Sequence, residues 1–168
     1  MIAHWYDGAW TYAQAEAYAL QCEQAWQRDG IHKWIAYDRQ DGELVGRGGL
    51  SRLPAGGSET AQIGALMEGS DWHRDRLEVG WAVLSGRQRQ GYASEIGTEA
   101  LAFARHELGA SSVIAFTEIH NLASREVMER IGMHQVGQIQ ACGLVEGKDA
   151  VSANAPFAVY ASTTAAEG

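Results

Sequence analysis

Residues 77–118 constrain the fold more than any other part of the sequence. Leu77 to Leu84 is nearly all apolar or small, which is typical of a strand covered on both faces, and Ser112 to Glu118 is predicted to be a second buried strand. Between them, apolar residues after Gly91 recur with a helical period until Gly109, a residue type that commonly ends helices. Strand, loop, helix and strand in this order predict a right-handed βαβ unit with two parallel strands.

A helix and an antiparallel strand pair are predicted before this unit. Thr11 and Gln14 have the spacing of a capping box, and an apolar pattern of three- and four-residue intervals then continues to Gly30. Two strands follow, joined through Asp41-Gly42, a dipeptide typical of type I′ hairpin turns because both residues need positive φ. The predicted strands are Trp34 to Tyr37 and Leu44 to Leu53.

A short helix and two strands are predicted to close the fold. They are the helix Leu122 to Ile131, which ends at Gly132, and the strands Met133 to Ile139 and Phe157 to Ser162. Together the elements predict an α+β fold with a mixed sheet and helices on its faces. We expect one domain over residues 1–168, with residues 163–168 as a flexible tail.

Composition excludes several classes of protein. An apolar content of 46% excludes a disordered chain, and no apolar run approaches the ~20 residues needed to span a bilayer. The first ten residues show no secretory signal. Two cysteines, Cys22 and Cys142, are too few for a disulfide framework, so we expect a reducing, cytoplasmic location. An excess of 21 acidic over 13 basic residues, a net charge of −8, argues against nucleic-acid binding.

The loop inside the βαβ unit is suited to bind an anion. Residues 84–94 include Arg87 and Arg89 and no acid, and the amides at a helix N-terminus attract phosphate. Gly91 and Ala93 would let the backbone approach phosphate oxygens closely. The alternative is an ordinary strand-to-helix turn with solvated arginines. The glycine spacings of dinucleotide-binding sites and P-loops do not occur in the sequence, which argues against NAD or ATP.

Two blocks of sequence carry a resemblance to a known family. EVGWAV at residues 78–83, with QRQGYASE at residues 88–95, resembles the acyl-CoA signature of the GNAT N-acetyltransferase superfamily. NLASREVMERIGM at residues 121–133 resembles the matching segment of the branch that contains the ribosomal-protein N-terminal acetyltransferases. The resemblance covers roughly residues 35–162, and its loop pattern is met by Gln88, Gly91 and Ala93.

The resemblance implies a fold and a cofactor. The fold is a mixed, mostly antiparallel sheet flanked by helices, with a central parallel strand pair splayed around acyl-CoA. Acetyl-CoA would place its pantetheine along the backbone of Trp81, Ala82 and Val83 and its pyrophosphate on the loop amides. The other implied cofactor-binding residues are Gln88, Arg89, Gln90, Gly91, Tyr92, Ala93, Ser94, Asn121 and Ser124. The chemistry needs no metal, and the six histidines show no metal-ligand spacing.

The sequence departs from the family pattern at three places. Arg89 stands where many relatives have Gly, and Ser85 stands where many have Pro. The family's first strand also has no counterpart before the segment Met1 to Trp26, so we expect this strand to be absent. A sheet edge exposed in this way needs cover, and a homodimer would provide it.

Ser124 is a candidate catalytic residue by its position. In this family an amine attacks the acetyl thioester directly, so the amine must lose a proton and the leaving thiolate must gain one. Ser124 lies at helical spacing from Val127, Met128 and Ile131, which puts its hydroxyl on the inward face at the helix start. There it would donate to the thioester sulfur or bind the cofactor. The alternative is a serine that bonds to local backbone.

Three side chains are candidates for the general base. Glu78 is our first choice, because its apolar neighbours would desolvate the carboxylate and raise its pKa. Glu118 ranks lower, because a glutamate at the end of a strand is usually solvated. His120 has a suitable ordinary pKa, and a bound water would serve equally.

The leading functional hypothesis is an acetyl-CoA-dependent N-acetyltransferase that acts on a primary amine, either a protein N-terminus or a small molecule. The alternatives are a catalytically silent acyl-CoA sensor and a transferase of another acyl group, such as succinyl. Acceptor specificity is expected to come from segments without a recognisable pattern. These are Met1 to Trp10, Pro54 to Arg76 and the loop Ala141 to Pro156.

Overall fold

Six strands form one sheet in this computed structural model, which describes residues 11–147 and 150–163. They are β1 (Lys33–Tyr37), β2 (Leu44–Arg52), β3 (Leu77–Val83), β4 (Ser112–Glu118), β5 (His134–Leu144) and β6 (Val151–Thr163). Their order across the sheet is β1-β2-β3-β4-β6-β5. Neighbouring strands are antiparallel except for β3 and β4, which are parallel. The predicted mixed, mostly antiparallel sheet is therefore confirmed.

The described part of the chain contains five α-helices, and they lie on both faces of the sheet. They are α1 (Tyr12–Asp29), α2 (Ser58–Leu66), α3 (Trp72–Asp75), α4 (Tyr92–His106) and α5 (Leu122–Arg130). Ala100 and Leu101 of α4 pack with Val79 of β3 in one apolar cluster, whereas Ile63 of α2 packs with Ile114 of β4 in another. The core therefore has two layers, one on each face. None of the helices in the described ranges has the length and apolarity that a bilayer crossing requires.

The predicted helix ends are confirmed. The Thr11 side chain accepts a hydrogen bond from the Gln14 amide, and the Gln14 side chain accepts one from the Thr11 amide, so the capping box is present. Gly30, Gly109 and Gly132 follow α1, α4 and α5 with φ of 69°, 61° and 85°. The left-handed backbone at these positions explains why glycine ends each helix.

The turn between β1 and β2 differs from the prediction. The two strands do form an antiparallel hairpin, but only Gly42 of the Asp41-Gly42 pair has positive φ, so the type I′ turn was wrong. The connection spans residues 38–43. The Asp38 carboxylate accepts from the Gln40 amide, and the Asp41 carboxylate accepts from the Glu43 amide. These side-chain bonds stabilise a longer turn that the dipeptide rule does not describe.

Two segments without a recognisable sequence pattern are regular in the structure. The segment Pro54 to Arg76 contains α2 and α3, and α2 packs on β5. The presumed loop Ala141 to Pro156 is largely the long β5–β6 hairpin, which pairs Ala141 with Ala155 and Leu144 with Val151. Contacts distant in sequence stabilise both segments, which explains why local patterns missed them.

Some predictions for the chain ends lie outside the described residues. The specificity role of Met1 to Trp10 and the absent first strand concern residues 1–10 and stay predictions. The flexible tail was placed at residues 163–168, but Thr163 is the last residue of β6, and residues 164–168 lie outside the described part.

β3 and β4 separate soon after they meet. Within residues 11–147, their parallel pairing is confined to Glu78 opposite Ile114. Beyond this point β3 continues to Val83 and β4 continues to Glu118, but the two strands do not pair with each other. The two strands thus diverge from one contact, as the splayed pair implied by the family resemblance requires.

Gly48 keeps helix α4 close to the sheet. A Cβ atom at Gly48 would lie 2.4 Å from the Ile96 Cγ2 of α4 and 2.9 Å from the backbone oxygen of Gly80. We expect Gly48→Val to lower the free energy of unfolding by about 1–3 kcal/mol, because α4 must move outward. Gly56→Val is the control, since a Cβ there meets nothing within 4 Å. Chemical denaturation of both variants measures the effect, and equal stabilities would contradict the packing argument.

Candidate active site

A cavity of about 730 Å³ occupies the gap between β3 and β4. Its walls come from the first four strands and from the start of α5. Of the residues predicted from sequence, Glu78, Trp81, Ala82, Val83, Glu118, Asn121 and Ser124 line it. Successive residues of β3 point to opposite faces, so Trp81 faces α4 whereas Glu78 and Gly80 face the other side. The cavity therefore connects the two faces of the sheet.

The open edge of β3 is suited to bind an extended chain. Residues Gly80 to Val83 pair with β2 on one side, and on the other side the described residues offer them no strand partner. Backbone N–H and C=O groups on such an edge need partners. An extended amide-containing group such as pantetheine would supply them in the manner of an added strand.

The start of α4 offers unpaired donors. Gly91 is the N-cap, with φ of 92° and no side-chain cap, so the amides of Tyr92 to Ser94 have no intrahelical acceptor. A Cβ on Gly91 would meet nothing within 4 Å, which leaves open space above these amides. The buried Ser94 Oγ has no hydrogen-bond partner within the described residues. Unpaired donors beside open space at a helix N-terminus fit a pyrophosphate.

Arg89 explains one departure from the family pattern. Its φ is 61°, in the left-handed region that favours glycine. Glycine adopts this conformation without strain, whereas this chain places an arginine there. The Arg89 side chain is exposed next to the α4 N-terminus, and the described part of the chain shows no ion pair to it. Its charge is therefore available to a bound phosphate.

Arg87 does not serve as the expected free cation. Its guanidinium lies 2.7 Å from Asp41 Oδ2 and 3.5 Å from Asp38 Oδ2, so the β1–β2 turn neutralises it. The Tyr92 hydroxyl also donates to Asp38. The loop sequence contains no acid, but the fold brings these two carboxylates from about fifty residues earlier. Asp38, Asp41, Arg87 and Tyr92 form a polar latch that ties the β1–β2 turn to the start of α4.

The latch changes the titration of Tyr92. The hydrogen bond to Asp38 raises the pKa of Tyr92, and the same bond lowers the pKa of Asp38. We expect Asp38→Asn to move the pKa of Tyr92 back toward the ordinary tyrosine value, because the nearby negative charge is removed. NMR titration of ring-labelled tyrosine measures the shift, and Tyr92→Phe assigns the signal.

The sign of the pH dependence follows from Asp38. A lowered pKa in the folded state means that the latch stabilises the fold above the ordinary aspartate pKa, and that this stabilisation is lost as the pH falls through the lowered value. If the pKa of Tyr92 is the same in Asp38→Asn as in the unchanged protein, the contact between Tyr92 and Asp38 in the latch is contradicted.

Glu78 has partners that the sequence did not indicate. Its Oε2 accepts from Lys33 Nζ at 2.6 Å and from Ser51 Oγ at 2.8 Å, and the Lys33 and Glu78 side chains are each 15% exposed. Lys33 is on β1 and Ser51 on β2, so only the strand order brings them to Glu78. Glu78 Oε1 accepts no hydrogen bond within the described residues and would lie 2.7 Å from a Cβ on Gly80. Glu78 and Gly80 both line the cavity.

Glu118 is buried, which corrects the expectation of a solvated strand end. It is 4% exposed, and its Oε1 accepts from the Leu144 amide at 2.8 Å. The β5–β6 hairpin covers it, because Gly143 lets the hairpin approach: a Cβ there would lie 2.9 Å from that oxygen. His120 is in the turn before α5 and is not among the described residues that line the cavity.

The start of α5 presents Ser124 to the cavity. Asn121 is the N-cap, and its Oδ1 accepts from the Ser124 amide at 3.2 Å. Its Nδ2 donates to Thr117 Oγ1 at 3.0 Å, which fixes the amide against β4. The Ser124 hydroxyl makes no bond to local backbone within the described residues. The predicted N-cap is thus confirmed for Asn121, and Ser124 keeps a free hydroxyl at the cavity wall.

The predicted residues fall into two groups. Gln88 to Ser94 are not among the residues lining the cavity, but they follow it directly through Leu84 and Ser85, which do line it. A strand edge leading into a helix N-terminus matches an elongated cofactor with a polyanionic end. Within the described ranges, no three His, Cys, Asp or Glu side chains are grouped to hold a metal ion.

The chain is similar to known proteins in both sequence and structure. The family model described as an acetyltransferase (GNAT) domain matches residues 1–134. A curated relative, FsC-acetyl coenzyme A-N(2)-transacetylase of Aspergillus fumigatus, is 31% identical over 123 residues, which are 73% of this chain and 46% of the relative. The chain thus spans about half the length of the curated relative that it matches.

Solved structures share the fold at low identity. A structure of yncA from Salmonella typhimurium with its cofactor acetyl-CoA has a TM-score of 0.68 at 16% identity, covering 99% of this chain and 81% of that one. A ribosomal-protein-alanine N-acetyltransferase from Brucella melitensis has a TM-score of 0.67 at 17% identity, covering 98% of this chain and 85% of that one. At these identities the likeness shows the fold alone.

Proposed function

Because this chain belongs to the GNAT acetyltransferase family, we propose that it transfers an acetyl group from acetyl-CoA to a primary amine by direct attack. The observation that carries the proposal is the gap between β3 and β4. This gap joins the α4 face, where the unpaired amides lie, to the opposite face, where Glu78 lies. A cofactor bound from one face would therefore meet an acceptor that enters from the other, without a covalent enzyme intermediate.

The cofactor-binding residues are assigned from the free groups in the structure. The backbone of Trp81, Ala82 and Val83 would bind the pantetheine, and the amides of Tyr92 to Ser94 would bind the pyrophosphate together with the Ser94 hydroxyl. Gln88, Arg89, Gln90 and Gly91 complete this loop. When bound, acetyl-CoA supplies an acetyl thioester that is open to attack by an amine. Asn121 orients the start of α5, where it would contact the cofactor.

Two side chains are assigned to proton transfer. Glu78 Oε1, which accepts no hydrogen bond within the described residues, would accept the amine proton, while Lys33 and Ser51 hold the other carboxylate oxygen in place. The Ser124 hydroxyl would donate toward the departing sulfur. Glu118 is the second candidate base, and a bound water is a third.

The acceptor is proposed to be a nitrogen nucleophile. The names of the Aspergillus relative and of the Brucella neighbour both place the acetyl group on nitrogen. A protein N-terminus and a small amine both satisfy this chemistry, and the net charge of −8 favours a cationic acceptor. The predicted homodimer and the cytoplasmic location stay predictions.

The experiment is a thiol-release assay with acetyl-CoA and a panel of peptides, polyamines and amino compounds. We expect at least one amine to give turnover and an acetylated product by mass spectrometry. Tight binding of CoA without turnover on any amine would favour the silent sensor. Competition binding of acetyl-CoA, succinyl-CoA and free CoA tests the third hypothesis, a transferase of another acyl group. Tighter binding of succinyl-CoA would favour it, because a succinyl group needs a cationic partner near the thioester.

A further inference from the structure

A second, smaller cavity of about 290 Å³ lies on the face of the sheet opposite α4. Four parts of the chain form it: the two residues after β2, the start of α2, Phe116 of β4, and the β5–β6 hairpin. Two of these, α2 and the outer half of the hairpin, come from the segments whose structure the sequence pattern did not show.

The lining of the second cavity is almost entirely apolar. Leu53, Phe116, Val151 and Phe157 form its walls, and Glu59 is its only charged side chain among the described lining residues. A charged or strongly polar group would lose hydration here without gaining enough partners. Glu59 at the start of α2 repels an acidic ligand and tolerates a cationic one. The surface therefore fits a compact apolar group.

The second cavity adjoins the first cavity, which is the cleft between β3 and β4 that would hold the thioester. Phe116 lines both cavities. Gly143 lines the second cavity, and a Cβ there would lie 2.9 Å from the Oε1 of Glu118, which lines the cleft. Phe116 and Glu118 thus connect the linings of the two cavities. The second cavity is also on the same face of the sheet as Glu78, the face from which the acceptor is proposed to enter.

We propose that the second cavity binds an apolar side group carried by the acceptor, so that the acceptor is a primary amine next to a compact aliphatic or aromatic group. This inference rests on the proposed acetyl transfer and names its acceptor class. The volume lies at the small end of the range for ligand pockets, which suits one side chain and not an extended chain. An α-amino group beside a leucyl or phenylalanyl side chain has the required form.

The first test compares matched peptides that differ only in the N-terminal residue. Peptides starting with Leu or Phe are expected to show kcat/KM at least ~10-fold above a peptide starting with Asp, because a hydrophobic pocket discriminates on that scale. Val151→Asp is expected to remove this preference. It is suitable because Val151 is 40% exposed, so the new charge is not forced into the core. Leu20→Asp on exposed α1, at 53% exposure, is the matched control.

A second readout does not depend on turnover. Cys142 is exposed and lines the second cavity, so a bound apolar amine should shield it from a maleimide. At ~10 times the Kd of the Leu peptide, Cys142 is expected to be alkylated about 10-fold more slowly, because only unbound protein reacts, whereas the Asp peptide at the same concentration leaves the rate unchanged. Mass spectrometry of the protein fragment that contains Cys142 measures the rate. Cys22 provides an internal reference, since it does not line this cavity.

The outcomes separate the two proposals. Turnover on all peptides at equal rates, with no protection of Cys142, overturns the acceptor class and leaves acetyl transfer intact. Protection of Cys142 by the Leu peptide without turnover on any amine overturns acetyl transfer and supports the binding site. A preference for Leu and Phe that persists in Val151→Asp overturns the assignment of this cavity.

Discussion

Replacing Gly91 with glutamate is expected to weaken acetyl-CoA binding by at least ~100-fold. The new carboxylate would occupy the open space above the amides of Tyr92 to Ser94, where the pyrophosphate is proposed to lie. It would both displace phosphate oxygens and repel their charge. Hydrogen bonds to charged groups contribute about 1.5–3 kcal/mol each, so the loss of two accounts for this factor. Calorimetric titration with CoA measures the change.

The control for Gly91→Glu is Gly109→Glu at the other end of the same helix. Gly109 also has left-handed φ, 61° against 92°, and a Cβ there likewise meets nothing within 4 Å. Both variants therefore incur backbone strain on the order of 1 kcal/mol. We expect Gly109→Glu to lose stability but keep its affinity for CoA. Equal affinity in both variants would show that the pyrophosphate binds elsewhere.

Glu78→Gln is expected to lower kcat by about 10²–10⁴-fold, the usual contribution of general acid–base catalysis. The amide keeps the shape of the side chain but cannot accept the amine proton at the position of Oε1. Steady-state thiol release measures the change, and an unchanged kcat would contradict this role for Glu78.

The ion pair with Lys33 calls for a second variant. Glu78→Gln leaves the Lys33 ammonium partly buried without its carboxylate, which destabilises the fold. Adding Lys33→Met to Glu78→Gln removes that charge and is expected to restore thermal stability but not kcat. Recovery of kcat in the double variant would show that Glu78 acts only through the fold.

Glu118→Gln distinguishes the two carboxylates. The amide oxygen of Gln can still accept from the Leu144 amide, so the hairpin stays in place. We expect kcat to change less than ~10-fold, because Glu78 still provides the base. If Glu118→Gln lowers kcat strongly and Glu78→Gln does not, the assignment of the base is reversed.

Local sequence rules correctly predicted the features that depend on neighbouring residues. The capping box of Thr11, the N-cap of Asn121 and the glycines after three helices all occur as expected. These features are determined within a few residues by backbone hydrogen bonds and allowed φ. The type I′ turn failed because Asp38 and Asp41 stabilise a longer turn and also bind Arg87.

The sequence by itself determined the βαβ unit, the loop that leads from β3 into α4 and the likeness to the GNAT family. These follow from period, glycine position and residue order along a short stretch. Tertiary structure alone decided that Lys33 pairs with Glu78, that Glu118 is buried, and that α2 and the β5–β6 hairpin enclose a second cavity. The reason is physical: charge pairing, desolvation and cavity shape depend on which distant segments are neighbours across the sheet, and strand order is not encoded in local periodicity.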